Sequence, residues 1–259
     1  MGTRILSLAA EAEDLAIVAA VERADHPGLG KDAGTLLLGK TLGVPLTPRL
    51  EVEADCLVDF SHPSATVPRL AECRRTKTAI VVGTTGLDPG VERAAEEASR
   101  EIPVLLSTNM SLGVHLLLAL AEEAARRLGP EFDVEVIEVH HRQKKDSPSG
   151  TALTIARTLA QAMGVDLEKA AAHGRKGNVG PRPVSEIGIH AVRGGDVVGE
   201  HTVLFAGEGE RIELVHKASS RDTFARGALR AARFLAGRPP GRYTMANVLS
   251  WNVNRHSGS

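Results

Sequence analysis

The sequence is short of aromatic residues: Phe, Trp and Tyr make up 3% of its 259 residues. That is too few for the stacking surfaces that hold RNA or single-stranded DNA. It has little excess charge, with a formal net charge of −1, so neither a nucleic-acid partner nor an acidic membrane is expected. No apolar run is long enough to cross a bilayer. Near the start, Glu11, Glu13 and Asp14 interrupt any secretory signal. Leu6 stands where a myristoylation motif needs Ser or Thr. The two cysteines, Cys56 and Cys73, form no motif and read as reduced, buried small hydrophobes of a cytoplasmic protein. There are ten histidines, but neither His-Glu-x-x-His nor Cys/His ligand spacing, so no metal is expected. Tandem repeats and low-complexity tracts are also missing. The length allows one large or two modest domains with a real core.

What is present alternates. Thr3 to Glu13 reads as an amphipathic helix, and Leu15 to Val21 as a buried parallel strand ending in Glu22-Arg23. Asp25 to Leu50 is rich in Gly and Pro and contains no strong element. Cys56 to Phe60, Ala79 to Val82 and Pro103 to Leu106 read as further strands. Helices are expected from about Ser64 to Arg75, from Pro89, and from a Ser111 cap to about Leu128. Such alternation implies parallel βαβ units, whose ligands sit at the carboxyl ends of the strands. Glu22, Arg23, Ser61, Gly83, Thr84, Thr85, Thr108 and Asn109 all fall at such ends. Each could be a mere turn or cap residue; together they favour a bound nucleotide.

Further on, Asp133 to Val139, Ile187 to Val192, Val197 to Phe205 and Arg211 to Lys217 read as strands, the last three joined as antiparallel hairpins by Gly-rich turns. They are expected to form a separate α+β domain. A helix from about Thr223 to Leu235 follows, stopped by Gly237 and Pro239-Pro240.

The densest chemistry lies between the first of those strands and a helix over Ala152 to Met163: Glu138-Val-His-His-Arg-Gln-Lys-Lys-Asp-Ser-Pro-Ser-Gly-Thr151. Charge alone would make Arg-Gln-Lys-Lys a solvated loop. The stretch also holds two imidazoles, and it ends at a helix start, where N–H groups and the macrodipole attract anions. That combination suits a small polycarboxylate that must also receive a proton.

Glu-x-His-His-x-x-Lys-x-Asp-x-Pro-Ser-Gly-Thr-Ala closely resembles the signature of the dihydrodipicolinate reductases, which serve bacterial lysine and diaminopimelate synthesis. The resemblance runs along nearly the whole chain. It includes Gly-Thr-Thr-Gly at Gly83 to Gly86, a second cofactor loop at Ser107-Thr108-Asn109-Met110, the segment Gly195 to Thr202, and Ala218 to Arg221. It implies a Rossmann-like parallel-sheet domain over 1–112 and 222–259, and an inserted α+β domain over 113–221 with an open antiparallel sheet, for substrate binding and oligomerisation. It implies NADH or NADPH as cofactor, with Glu22 on the adenosine ribose and Arg23 ready for a 2′-phosphate. It also implies a dicarboxylate substrate and a homotetramer.

The resemblance assigns His140 as general acid, because an imidazole titrates near working pH. Lys144 would steady developing negative charge and share the acid role. His141, Gly150 and Thr151 would hold carboxylates. Ser149 is either the helix N-cap or a ligand, and Arg221 either joins the domains or is a surface cation. Gln143, Lys145 and Met110 depart from the family pattern, the last where an aromatic is usual.

A larger departure is at the start. Met1-Gly2 aligns with the end of the family's Gly-rich phosphate loop, so the first strand and most of that loop are missing. A start codon assigned too late, a deliberate cut, or a natural derivative without a cofactor site would each explain this. The expected function is NAD(P)H-dependent reduction of 4-hydroxy-tetrahydrodipicolinate. The alternative is a cofactor-deficient, non-catalytic derivative acting as a binding or regulatory protein. A different NAD(P)-dependent reductase is disfavoured by the intact His140 to Thr151 string.

Overall fold

The computed structural model describes residues 1–250 and divides into two units, Met1–Leu112 with the chain from Asp222 onward, and Gly113–Arg221. The first unit opens with α1 (Gly2–Ala9), β1 (Ala20–Val21), α2 (Ala33–Leu38) and β2 (Leu46–Thr47). It continues through β3 (Cys56–Asp59), α3 (Pro63–Thr76), β4 (Ala79–Val82), α4 (Pro89–Ser99) and β5 (Pro103–Leu106) to the start of α5 (Leu112–Leu128). The second unit holds most of α5, then β6 (Asp133–His140), α6 (Gly150–Met163), α7 (Leu167–Ala170), β7 (Ala171–Ala172), β8 (Ile187–Arg193), β9 (Gly199–Ala206) and β10 (Arg211–Ala218). The chain returns to the first unit with α8 (Asp222–Leu235), β11 (Gly241–Tyr243) and α9 (Met245–Ser250).

In the first unit four parallel strands lie in the order β11-β5-β4-β3. The Ala-Ile-Val-Val run of β4 is buried at every position, as a strand covered on both faces must be. Its residues alternate between two layers: Val81 packs with Ala228, Ala231 and Leu235 of α8, and Ile80 and Val82 pack with Leu70, Cys73 and Ala95 of α3 and α4. Proline and a capping side chain open each helix of the second layer. His62 accepts the Ser64 amide ahead of Pro63, and Asp88 accepts the Gly90 and Val91 amides ahead of Pro89. Cys73 is fully buried and Cys56 half-buried; both are free, and burial pushes the Cys73 thiol up to about 12.

The N-terminal expectations need correction. Helix α1 ends at Ala9 rather than Glu13. Of the run Leu15 to Val21, only Ala20–Val21 forms strand, paired parallel with β2 and apart from the main sheet, and Val18 is 48% exposed. A parallel strand exists only through a neighbour's N–H and C=O groups. Among the described residues, the free edge of β3 has no strand beside it. Asp25 to Leu50, expected to hold no strong element, contains the short α2 and β2. Asp32 organises it by accepting amides from Thr35, Leu42 and Val44 at 2.7–3.2 Å, which holds its carboxyl at about 2.

The second unit is a five-stranded sheet in the order β10-β9-β6-β8-β7, with α5 and α6 on one face. In β6 every second residue is buried, so Val134, Val136, Glu138 and His140 face the helices. The sheet is mixed rather than antiparallel. The β9–β10 hairpin forms, but β8 runs parallel to β6 and does not pair with β9. The Gly194-Gly195 connection instead crosses the end of β6, where Gly194 donates to the His140 carbonyl at 2.9 Å and Arg142 donates to Gly195 at 3.1 Å.

Candidate active site

At the end of β6 the alternation puts Glu138 and His140 on the same buried face, two residues apart. Glu138 has no exposed surface. Its Oε1 accepts the Ser149 amide at 3.0 Å and Nη2 of Arg193 at 2.8 Å. Its Oε2 accepts Nη1 of Arg193 at 2.8 Å and faces Nδ1 of His140 at 2.5 Å. Burial would raise the Glu138 pKa, but the hydrogen bonds from Arg193, His140 and the Ser149 amide outweigh it and hold the group below the ordinary carboxylate value. An ionised carboxylate can only accept, so Nδ1 of His140 carries the hydrogen. Nε2 is then the nitrogen offered to a ligand. A side chain at Gly199 would come within 3.0 Å of it, and glycine there leaves it accessible.

His140 is 8% exposed. Burial depresses its pKa; Glu138 opposes that, while Lys144 and Arg193 add to it. His201, from β9, meets His140 edge to face at 5.3 Å and reaches the Ser149 hydroxyl through Nε2 at 3.3 Å. It is pushed down to about 4, first by burial and then by His140, so it is neutral at pH 7. Ser149 is the N-cap of α6, its hydroxyl accepting the Ala152 amide at 3.1 Å. Beyond it, Gly150 is exposed and Thr151 half-buried at the first turn. Lys144 brings Nζ to Asp146 at 3.0 Å, and His141 is half-buried beside it. The loop thus gathers a buried imidazole, a lysine and a helix N-terminus, which together can bind a dianion and deliver a proton.

The sequence places Glu138 in the signature stretch and His201 in the Gly195 to Thr202 segment, but gives neither a role in this cluster, and gives Arg193 none. The period-two pattern puts Glu138 on the face of His140, but it gives no sign that a carboxylate there is buried. Arg193 lay in a segment expected to be a hairpin turn. A second polar cluster, also missed, ties Arg175 and Arg182 to Glu135 on the opposite face of β6, and holds that carboxyl at about 2 against its burial.

In the first unit, Gly83 and Thr84 follow β4, and Ser107 follows β5. Gly83 is required by packing, since a Cβ would stand 2.2 Å from the Phe60 ring. Thr84 is 3% exposed, and its hydroxyl has no hydrogen-bond partner; Thr85 is exposed. The Ser107 hydroxyl donates to the Asn109 carbonyl at 2.6 Å, Asn109 Oδ1 accepts the Ser111 amide at 2.8 Å, and Thr108 is exposed. Met110 differs from its expected role: its side chain is 1% exposed, in the core with Leu105 and Ala228, so it can offer a ligand only its backbone. Glu22 and Arg23 are exposed at the end of β1, with Arg23 on Asp25 at 3.2 Å. An unpartnered buried hydroxyl at one strand end, and an acid–base pair at another, fit the ribose and phosphate groups of a dinucleotide. Arg221 is exposed. Among the described residues no three His, Cys, Asp or Glu side chains form a metal-binding group, and no helix is long and apolar enough to cross a membrane.

Comparison with known proteins gives matches to two family models, "Dihydrodipicolinate reductase, N-terminus" over residues 1–110 and "Dihydrodipicolinate reductase, C-terminus" over 113–249. The chain is 48% identical to the 4-hydroxy-tetrahydrodipicolinate reductase of Anaeromyxobacter dehalogenans strain 2CP-1, over 96% of this chain and 93% of that one. It is 49% identical to the protein of the same name from Alkalilimnicola ehrlichii, over 96% and 94%. In fold it is similar to a dipicolinate-bound dihydrodipicolinate reductase from Paenisporosarcina sp. TG-14, with a TM-score of 0.73, 23% identity, and coverage of 95% and 94%.

Proposed function

We infer the function from one premise: the chain belongs to the dihydrodipicolinate reductase family. It is an NAD(P)H-dependent oxidoreductase that reduces 4-hydroxy-tetrahydrodipicolinate in lysine and diaminopimelate synthesis. Its first unit is the dinucleotide-binding domain, with Glu22, Arg23, Gly83, Thr84, Thr85, Ser107, Thr108, Asn109 and the Met110 backbone as the residues that hold the cofactor. Its second unit binds the substrate.

The observation that carries the site assignment is the pairing of His140 with a buried, ionised Glu138 beside the start of α6. When bound, the reduced nicotinamide supplies a hydride. His141 and the first turn of α6, at Gly150 and Thr151, hold the carboxylates of the substrate. Once the substrate has lost its 4-hydroxyl as water, leaving a conjugated imine to take the hydride, His140 and Lys144 would steady the charge that develops on the ring nitrogen and supply its proton. In the free protein burial keeps His140 neutral; the negative charge of a bound dicarboxylate favours its protonated form and so arms it as an acid.

The sheet face opposite α5 and α6 carries Ile137, Val139, Leu204, Val192 and Val215, the last two 46% and 49% exposed. That face supports assembly of a homotetramer. The free Cys56 and Cys73 support a cytoplasmic location.

The test is titration of NADH and NADPH into the protein by calorimetry, followed by loss of nicotinamide absorbance on adding 4-hydroxy-tetrahydrodipicolinate. Binding of either nucleotide and turnover are expected. Dicarboxylate binding with no nucleotide binding would overturn the reading.

A further inference from the structure

One carboxylate joins the two halves of the substrate site. Glu138 is wholly buried, yet it is contacted from three elements: His140 on its own strand, Arg193 on β8, and the Ser149 amide at the start of α6. Arg193 also donates to the Asp146 carbonyl at 2.8 Å, and so holds the far end of the loop that carries Lys144. Side-by-side bonds from both terminal nitrogens fix the plane and position of the carboxylate as no single-point cation could. We propose that Glu138, clamped by Arg193, is the positioning residue of the reductase site: it fixes His140 as the Nδ1–H tautomer and, through the same carboxylate, holds the start of α6 in register with Nε2.

The inference rests on the reductase reading for its kinetic consequences, but not for the tautomer. A neutral imidazole beside an acceptor at Nδ1 must carry its hydrogen there. If the acceptor is replaced by an amide, which can also donate, the other tautomer becomes accessible and Nε2 is no longer the basic nitrogen. A buried pair that merely held the strands together would affect stability and leave the tautomer and the pH response of His140 as they were.

The experiment compares the parent with Glu138→Gln, and with Arg193→Lys in case the first variant folds poorly. Long-range proton–nitrogen correlation spectra report which nitrogen of His140 carries hydrogen, and need no turnover. The parent should show Nδ1–H; Glu138→Gln should show a mixture or the reverse. Under turnover, kcat should fall about 100-fold or more in Glu138→Gln, as expected when a carboxylate that orients a catalytic imidazole is neutralised, and about tenfold in Arg193→Lys. The dissociation constant for NADPH should be unchanged in both.

Glu138 supports the charged form of His140, whereas Lys144, Arg193 and burial oppose it, and the neutral His201 ring lies against it. The alkaline limb of the kcat profile should therefore move to lower pH in Glu138→Gln. A variant of unchanged tautomer, kcat and pH profile, with only a lower melting temperature, would overturn the proposal. A parent that shows Nδ1–H but no turnover would instead count against the reductase reading.

Discussion

The polar candidates of the two units differ in how deeply they are buried and in what they bond. In the second unit Glu138, His140, Ser149 and His201 are each under 10% exposed, and they are bonded to one another or to Arg193. In the first, Glu22, Arg23, Thr85 and Thr108 are exposed, and the one buried hydroxyl among the candidates, that of Thr84, has no partner. Each of these second-unit groups has at least one protein partner, although Nδ1 of His201 and Nε of Arg193 are buried without one. At the proposed nucleotide site the first unit offers strand ends and backbone. Substitutions in the second unit should therefore damage chemistry and stability together, whereas those in the first should separate binding from stability.

The largest effect should come at the proposed reacting groups. His140→Gln should lower kcat by about 10²- to 10⁴-fold, the usual range for a lost general acid, with KM little changed. Lys144→Ala should lower kcat and raise KM, because it would remove a group proposed to serve both the bound carboxylate and the developing charge. Steady-state kinetics on both variants checks this; parental activity in both would dissolve the contrast between the units.

Next is a pH effect confined to the second unit. His201 has its folded pKa depressed to about 4 from 6.5, mainly by burial. Between those values the unfolded chain binds the extra proton, so stability is full above pH 6.5 and is lost as pH falls towards 4. A shift of that size corresponds to about 3 kcal/mol at the acid end, and the lowered pKa values of His140 and His216 act in the same sense. Amide exchange in β6 and β9 should accelerate over that window, and His201→Asn should flatten the response. Acceleration of equal size in β4 and β5 would show that the two units do not differ in this way.

Much of this is legible in the sequence. Strands β4 and β5 are short apolar runs ending at Gly or Ser, and they form where the runs lie. The alternation of Asp133 to Val139, and the Ser-Gly-Thr start of α6, placed the candidate site at a strand–helix junction. The partner of a strand was not legible. Gly194-Gly195-Asp196 has the chemistry of a turn whether the chain doubles back or crosses β6, and only packing decided that it crosses. The role of Glu138 was hidden for a related reason. An acidic residue in an alternating strand is ordinarily turned to solvent, and what allows this one to be buried lies 55 residues further on. The run Leu15 to Val21 shows the converse: apolar content permits a strand, but a neighbouring strand makes it one.

A smaller effect should appear at the end of β1. Arg23 is exposed and paired with Asp25, and surface pairs of this kind hold weakly, so its guanidinium can turn to a 2′-phosphate. Arg23→Ala should weaken NADPH about tenfold, equivalent to about 1.4 kcal/mol, and leave NADH within about twofold, the ordinary scatter of a surface change. Equal weakening of both nucleotides in calorimetry would mean that Arg23 does not read the 2′ position.

The smallest effect has the most telling sign. Thr84 is buried with its hydroxyl unbonded, and an unsatisfied buried hydroxyl costs about 1–3 kcal/mol. Val has nearly the same shape and no such group. Thr84→Val should therefore raise the stability of the first unit by about 1 kcal/mol, while weakening NADH and NADPH alike, since the hydroxyl would no longer be there to bond the ligand. In the second unit the matching change, Ser149→Ala, removes a cap whose oxygen serves both Ala152 and His201, and should destabilise by about 1 kcal/mol. Thermal denaturation of the two variants should thus move in opposite directions. If Thr84→Val also lowers the melting temperature, the hydroxyl contributes to the fold itself, and the two units satisfy their polar groups by the same rule.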